Sequence, residues 1–97
     1  MTNAQDAIKD QIPVPVADVK VEAIDGELLL YHPRDTRAIY LNPSAAVIWS
    51  LCDGQRRVSD IIQLIGEGYP EAGDSLTEQV LATLAQFRDN GVLHSKP

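Results

Sequence analysis

Side chains that commonly perform catalysis or bind metals are few and scattered in this sequence. The two histidines, His32 and His94, have no cysteine or histidine at the spacing of a zinc-binding motif. Gly66-Glu67-Gly68 falls where a helix is predicted to end, so it does not form a phosphate-binding loop after a strand. The serines fit helix starts or solvent positions, without a histidine and an aspartate to activate them: Ser44, Ser50, Ser59 and Ser75. The sequence therefore predicts no enzyme, no metal site and no cofactor.

The charge balance argues against nucleic acid as a partner. The chain has 14 acidic and 8 basic residues, for a net charge of −6, and its basic residues are scattered apart from Arg56-Arg57. Nucleic-acid binding depends on clustered lysines and arginines that neutralise phosphates. Strands followed by helices would also fit a winged-helix DNA-binding regulator. The acidic charge of this chain is wrong for binding phosphates, which makes that alternative less favoured. An acidic surface instead suits solubility and protein partners.

The length and the cysteine content indicate a single cytoplasmic domain. Ninety-seven residues suffice for one hydrophobic core, and the apolar runs are too short to span a membrane. Met1 to Gln11 lacks the charged and then apolar pattern of a secretory signal. The single cysteine, Cys52, lies on the apolar face of a predicted helix, so we expect a buried structural thiol in a reducing compartment.

The stretch from Leu41 to Gly54 divides the chain into a strand region and a helical region. Asn42 is a good helix N-cap, and Pro43 suits the first helical position. We predict a largely buried first helix from Pro43 to about Cys52, with Trp49 as a core anchor.

Short runs of apolar residues before this helix predict an antiparallel three-stranded meander. Residues 1–15 lack periodicity and are expected to form a flexible N-terminal arm. The Asp25-Gly26 pair predicts a two-residue hairpin. We expect a half-buried first strand at 16–23 and a central second strand at 27–31. A turn at 32–36 should lead to a short third strand at 37–41.

Two more helices are predicted after the first. Ser59 is the expected N-cap of the second, which ends before Pro70. Asp74 or Ser75 should cap the third, with Glu78 placed for a capping box, and the helix should end at about Asn90.

The third predicted helix has two different apolar surfaces. Its core face consists of Leu76, Val80, Leu84 and Phe87. A half-apolar flank lies beside it and should not face the same core, and it consists of Thr77, Leu81, Ala85 and Arg88. Beyond the helix, Val92-Leu93 should fold back on the body.

The free edge of the third strand suggests a peptide-binding groove. A guest strand could pair with this edge while the flank of the third helix walls the groove. Four or five backbone hydrogen bonds contribute roughly 1 kcal/mol each, whereas ordering a disordered peptide costs about 2–5 kcal/mol. Side-chain pockets must therefore supply affinity, with Leu81 and Leu84 meeting either Ile39 or Tyr40, whichever faces inward. The alternative is that these residues are plain core and the edge is simply capped.

These residues together resemble the PqqD-like proteins, also called RiPP recognition elements, which act as precursor-peptide chaperones in natural-product biosynthesis. The resemblance covers about residues 17 to 93. It is carried by Asp25 to Leu30, by Tyr40 to Ala46 with Ile48-Trp49, by Asp53-Gly54 with Val58 to Ile62, and by Val80 to Leu84 with Phe87 and Gly91 to Leu93.

The resemblance implies an α+β, winged-helix-like fold in which a three-stranded antiparallel sheet is followed by three helices. It places a peptide-binding domain at 16–93, between the arm and a C-terminal tail at 94–97. The implied function is non-catalytic: the protein binds the leader of a ribosomally made precursor peptide as an added strand and delivers it to a modifying enzyme such as a radical SAM enzyme. Leader recognition for a leader peptidase, as in lasso-peptide pathways, is the alternative.

The implied peptide-binding residues lie on the third strand and the third helix. They are Arg37, Ala38, Ile39, Tyr40, Leu41, Thr77, Leu81, Leu84 and Arg88. Without a guest, the free edge can also pair with a second copy, so a homodimer is a further expected assembly.

Overall fold

Two antiparallel sheets pack with four α-helices in the computed structural model, which describes residues 4–25, 27–32 and 38–96. The elements are α1 (Ala4–Lys9), β1 (Ile12–Pro15), β2 (Lys20–Ile24), β3 (Glu27–Tyr31), β4 (Ala38–Leu41), α2 (Pro43–Leu51), α3 (Val58–Gly68), a 3-10 turn (Pro70–Ala72), α4 (Ser75–Asp89) and β5 (Leu93–Lys96). Most of the turn expected at 32–36, and Arg37, fall outside the described residues.

The predicted α+β fold with a three-stranded antiparallel sheet is confirmed. The strands lie in the order β2-β3-β4, so β3 is central and has the bounds expected from the sequence. Ile24 pairs with Glu27, which leaves two residues for the hairpin turn, and Asp25 has the positive φ of 51° that such a turn requires. The prediction of a half-buried first strand is wrong, because all five residues of β2 are exposed. Val19, just before β2, packs against the core instead.

The start of α2 follows the local chemistry of its sequence. The Oδ1 atom of Asn42 accepts a hydrogen bond from the backbone N–H of Ala45 at 2.8 Å, and Pro43 occupies the first turn. Trp49 packs edge-on against Phe87 of α4, with 5.4 Å between ring centroids, as expected for a core anchor.

The other two predicted helices are present; the cap of α3 differs from the prediction, whereas the N-cap of α4 is Asp74, one of the two residues expected. Arg57 is the N-cap of α3 in place of Ser59, because the Asp60 carboxylate accepts the backbone N–H of Arg57 at 3.0 Å. Asp74 occupies the N-cap position of α4 without a side-chain capping bond. The Oγ atom of Ser75 instead donates to the carbonyl of Ala72.

Two segments near the ends of the described residues pair with each other: β1 lies within the arm expected at 1–15, and β5 overlaps the tail expected at 94–97. β1 runs antiparallel to β5, from Ile12 opposite Lys96 to Pro15 opposite Leu93. The backbone N–H of Val58 donates to the carbonyl of Gln11, so this segment also reaches α3. Sequence periodicity reports local structure and carries no signal for pairing between distant segments.

One hydrophobic core joins the sheet and the helices. The predicted core face of α4 is buried at Val80, Leu84 and Phe87, and Val92 and Leu93 fold back against it as expected. The remaining buried residues of this hydrophobic core are Leu30, Leu41, Ile48, Trp49, Cys52, Val58, Ile61 and Ile65. Within the part of the chain that the structure describes, no helix has the length and apolar character needed to cross a membrane.

Candidate functional site

The register of β3 and β4 decides which side chains of β4 face the helices. Ile39 lies opposite the fully buried Leu30, and Leu41 lies opposite Leu28. Ile39 and Leu41 are therefore on the inner face, because alternate residues of a strand point to the same side. Tyr40 points outward and is 69% exposed. The sequence left open whether Ile39 or Tyr40 faces inward, and the register shows that Ile39 does.

One edge of β4 is unpaired. Over residues 4–25, 27–32 and 38–96, β4 pairs only with β3 and forms the end of the sheet. An edge strand presents backbone N–H and C=O groups that can pair with another extended chain. The edge that the sequence analysis selected is therefore free.

A cavity opens between α2 and α4, starting at the residue that follows β4. It has a volume of about 350 Å³. Its lining, which we call the α2–α4 groove, consists of Asn42, Ser44, Ala45, Ile48, Gln79, Ala82, Thr83 and Gln86. None of these residues is charged, so the α2–α4 groove suits apolar and neutral polar side chains.

A second cavity continues from the first toward α3. It has a volume of about 370 Å³ and shares Ser44, Ile48 and Gln79 with the α2–α4 groove. Its far end is lined by Ile65, Tyr69 and other residues of α3 and the 3-10 turn. Both cavities lie along α2 and share three lining residues, and we call the two together the trough.

The structure places the predicted residues of α4 away from this trough. Leu84 has no accessible surface and belongs to the core. Nη1 of Arg88 donates to Oγ of Ser95, 3.4 Å away, so the flank of α4 that carries Arg88 lies beside β5. Thr77 and Leu81 share that flank by helical spacing.

The groove is therefore lined by the opposite flank of α4, which carries Gln79, Thr83 and Gln86. Thr83 lies about 200° around the helix from Leu81, at 100° per residue. None of Thr77, Leu81, Leu84 and Arg88 lines the α2–α4 groove, and their role as the wall of a groove beside β4 stays a prediction. An apolar stripe on a helix has two flanks, and the half-apolar flank of α4 carries Thr77, Leu81 and Arg88. The packing of α4 against β5 uses that flank.

Sequence reasoning missed the polar side of the groove. The sequence analysis assigned Asn42 only as a helix cap and gave Thr83 and Gln86 no role. A helical wheel does show Gln79, Thr83 and Gln86 on one flank, but nothing local tells which flank approaches α2. Among the described residues, no three His, Cys, Asp or Glu side chains come close enough together to hold a metal ion.

A comparison with protein families identifies the chain. The model of the family described as "Coenzyme PQQ synthesis protein D (PqqD)" matches residues 27–93. This match covers more than half of the chain, from the start of β3 to the first residue of β5. The chain belongs to the PqqD family. The resemblance proposed from the sequence is thereby confirmed for this PqqD-family protein.

A comparison with solved structures supports the same fold. The PqqD-family protein is similar to the structure described as TbiB1 in complex with the TbiA(beta) leader peptide, with a TM-score of 0.74 and 21% identity. The similarity covers 84% of this chain and 94% of that one. At this identity it shows a shared fold. No curated protein matches the chain.

Proposed function

We propose that this protein binds the leader region of a ribosomally synthesised precursor peptide and delivers it to a modifying enzyme. The observation that carries the proposal is the unpaired edge of β4, which is followed at Asn42 by the uncharged α2–α4 groove. Membership of the PqqD family supports it, and so does the likeness to TbiB1, whose structure contains a leader peptide. In this proposal the protein binds and presents the peptide without catalysing its modification.

The leader adds as a strand along Ala38–Leu41. Its backbone pairs with the free edge of β4, and its inward side chains meet Ile39 and the α2–α4 groove. Four or five backbone hydrogen bonds contribute about 4–5 kcal/mol together, at about 1 kcal/mol each, and the cost of ordering the peptide, about 2–5 kcal/mol, cancels most of this. Apolar side chains seated in the groove therefore supply most of the affinity.

The recipient of the peptide in this proposal is a cytoplasmic modifying enzyme, with a radical SAM enzyme as the first choice. A precursor peptide made on the ribosome is available in that compartment. Co-purification of the enzyme with this protein, strengthened by added leader peptide, is the result expected for a delivery role. Equal association with and without peptide would instead indicate a scaffold subunit.

The direct test is a titration followed by amide NMR. The probes are synthetic leader segments of short precursor peptides encoded next to the gene for this protein. Shifts should concentrate at Ala38–Leu41 and at Ala82 to Gln86, with little change in β2 or β5. Shifts centred on β2 would place the peptide on the other end of the sheet, and the absence of any shift would reject the proposal.

Strand addition can be tested separately from groove binding. An added strand turns alternate backbone N–H groups toward β4, and the remaining N–H groups point away. N-methylation of the peptide at one set of alternate positions should abolish binding, whereas methylation at the other set should preserve it. Equal effects of both sets would show that the peptide binds through side chains without pairing to β4.

A further inference from the structure

The outer face of the three-stranded sheet carries apolar side chains that the helices do not cover. The strand register aligns Glu22, Leu29 and Tyr40 in one row across the sheet. The neighbouring row contains Lys20 of β2, Tyr31, which is 38% exposed, and Ala38 of β4. Tyr40 is the most exposed large apolar side chain of the described residues, at 69%.

Tyr40 stands at the end of its row. On one side it has Leu29 as a cross-strand neighbour, and the other side is the unpaired edge of β4. Side chains directly opposite each other on adjacent strands have Cβ atoms about 4.5–5.5 Å apart. A strand added to β4 would therefore place one outward side chain next to the ring of Tyr40, whichever direction the added strand runs.

We propose that Tyr40 is a specificity-determining residue that selects an aromatic or β-branched side chain at one outward position of the bound leader. This inference rests on the proposed function, since it requires strand addition at β4. The leader is then recognised on both faces: alternate residues enter the α2–α4 groove, and the residue between them packs on Tyr40.

The neighbours of Tyr40 favour an apolar partner. Leu29 lies directly opposite Tyr40, whereas the charged residues of this face lie diagonally on β3, at Glu27, or a further strand away, at Lys20 and Glu22. Aromatic and β-branched cross-strand pairs stabilise a sheet surface of this kind. The next outward position of the leader lies beside Ala38, whose small side chain imposes little restriction. The leader should therefore show one selective and one permissive outward position, two residues apart.

The test uses phage-displayed random twelve-residue peptides selected on the full-length protein. On the wild type, aromatic or β-branched residues should be enriched at one position, flanked on each side by inward apolar positions. Selection on a Tyr40→Lys variant should shift that one position to Asp or Glu, because opposite charges pair well across strands. The preferences at the inward positions should stay the same.

Affinity measurements on one selected peptide supply a matched control. Tyr40→Ala should weaken binding about threefold to fivefold, the upper part of the range that a lost cross-strand contact of up to about 1 kcal/mol gives. Tyr31→Ala removes the same side chain from the same face, but one strand further from the guest, and should leave affinity within about 1.5-fold. Thermal unfolding of both variants verifies that the fold is kept.

The outcomes separate this inference from the function on which it rests. If the wild type selects no peptides, the proposed function and the inference both fail. If selected peptides shift the amides of β4 but show the same preferences on Tyr40→Lys, only the inference fails. Enrichment of Lys or Arg opposite the wild-type tyrosine would also overturn it, because the ring would then act through a cation–π contact.

Discussion

Cys52 is a structural thiol at the end of α2. Its side chain is buried, and Sγ donates a hydrogen bond to the carbonyl of Ile48 at 3.3 Å. Burial, helped by the negative charge of Asp53, raises the pKa of Cys52 from 9.0 to about 12. The thiol therefore stays protonated at neutral pH, and the expectation of a buried structural cysteine is confirmed.

We expect native Cys52 to be alkylated by iodoacetamide at pH 8 about a thousandfold more slowly than in the unfolded chain, because three pKa units lower the thiolate fraction by that factor.

The raised pKa also predicts that the free energy of unfolding falls as the pH rises from about 9 to about 12, since the unfolded state ionises first. A Cys52→Ala variant should lose this component of the pH dependence. Rapid alkylation of the native protein would contradict the assigned environment.

Asn42 has two roles that a pair of variants can separate. It caps α2 through the hydrogen bond to Ala45, and it lines the α2–α4 groove. Asn42→Ala should lower the free energy of unfolding by about 1 kcal/mol, measured by urea denaturation. Asn42→Asp keeps an oxygen acceptor at a site where the helix dipole favours negative charge, so stability should be retained.

The same Asn42→Asp variant should bind leader peptide more weakly than the wild type. It introduces a charge into a lining that has none, and an apolar guest side chain would desolvate that charge. Unchanged peptide affinity in Asn42→Asp would mean that the guest does not use this end of the groove.

At the scale of elements, β1 has an edge that is protected against strand addition. The backbone N–H of Val16 donates to the carbonyl of Val92 at 3.0 Å, in continuation of the β1–β5 register. Alternate residues of an antiparallel strand face the same partner, so Val14 also directs its N–H toward β5. Pro13 and Pro15 then occupy the outward positions, where they offer no N–H group to a further strand.

This arrangement predicts that substitutions at alternate positions of β1 change the free energy of unfolding by different amounts. Val14→Pro should lower the free energy of unfolding by about 1–2 kcal/mol, because it removes a hydrogen bond to β5. Pro15→Ala, at an outward position, should have a much smaller effect. Denaturation in urea measures both variants, and equal losses would show that the assigned alternation is wrong.

The α2–α3 link fixes the angle between two of the helices that surround the trough. The Asp53 carboxylate accepts the backbone N–H groups of Arg56 and Gln55, each at 2.9 Å. These hydrogen bonds hold the pKa of Asp53 below its ordinary value, and the bond from Arg56 has the largest effect. Gly54 has a φ of +78°, a conformation that glycine adopts without strain.

At the scale of the whole molecule, the net charge of −6 contrasts with the uncharged α2–α4 groove. We expect the affinity for a leader segment without net charge to change by less than about threefold between roughly 0.05 and 0.5 M salt, because screening acts on exposed charges. Fluorescence anisotropy of a labelled segment measures this dependence. A fall of more than about tenfold would show that charge pairs carry the binding, and such steepness is typical of nucleic-acid ligands.

The features that the sequence determined by itself are local. Asn42 and Pro43 define the start of α2 by the chemistry of one helix end, and the apolar spacing of α4 identifies Val80 and Leu84 as core. The Asp25-Gly26 pair predicted the hairpin because few residues accept a positive φ. Each of these signals involves residues within about one or two turns of each other, where backbone geometry and hydrogen bonds are set by near neighbours.

Only the tertiary structure decided how these elements meet. Residues 12–15 and 93–96 pair as β1 and β5, although neither segment carries a signal for the other. The β3–β4 register turns Ile39 inward and Tyr40 outward, and a slip by one residue would exchange their faces. The packing of α4 turned Arg88 toward β5 and Thr83 toward α2. A period describes the spacing of side chains around an element, whereas the direction in which the element faces depends on contacts between residues distant in sequence.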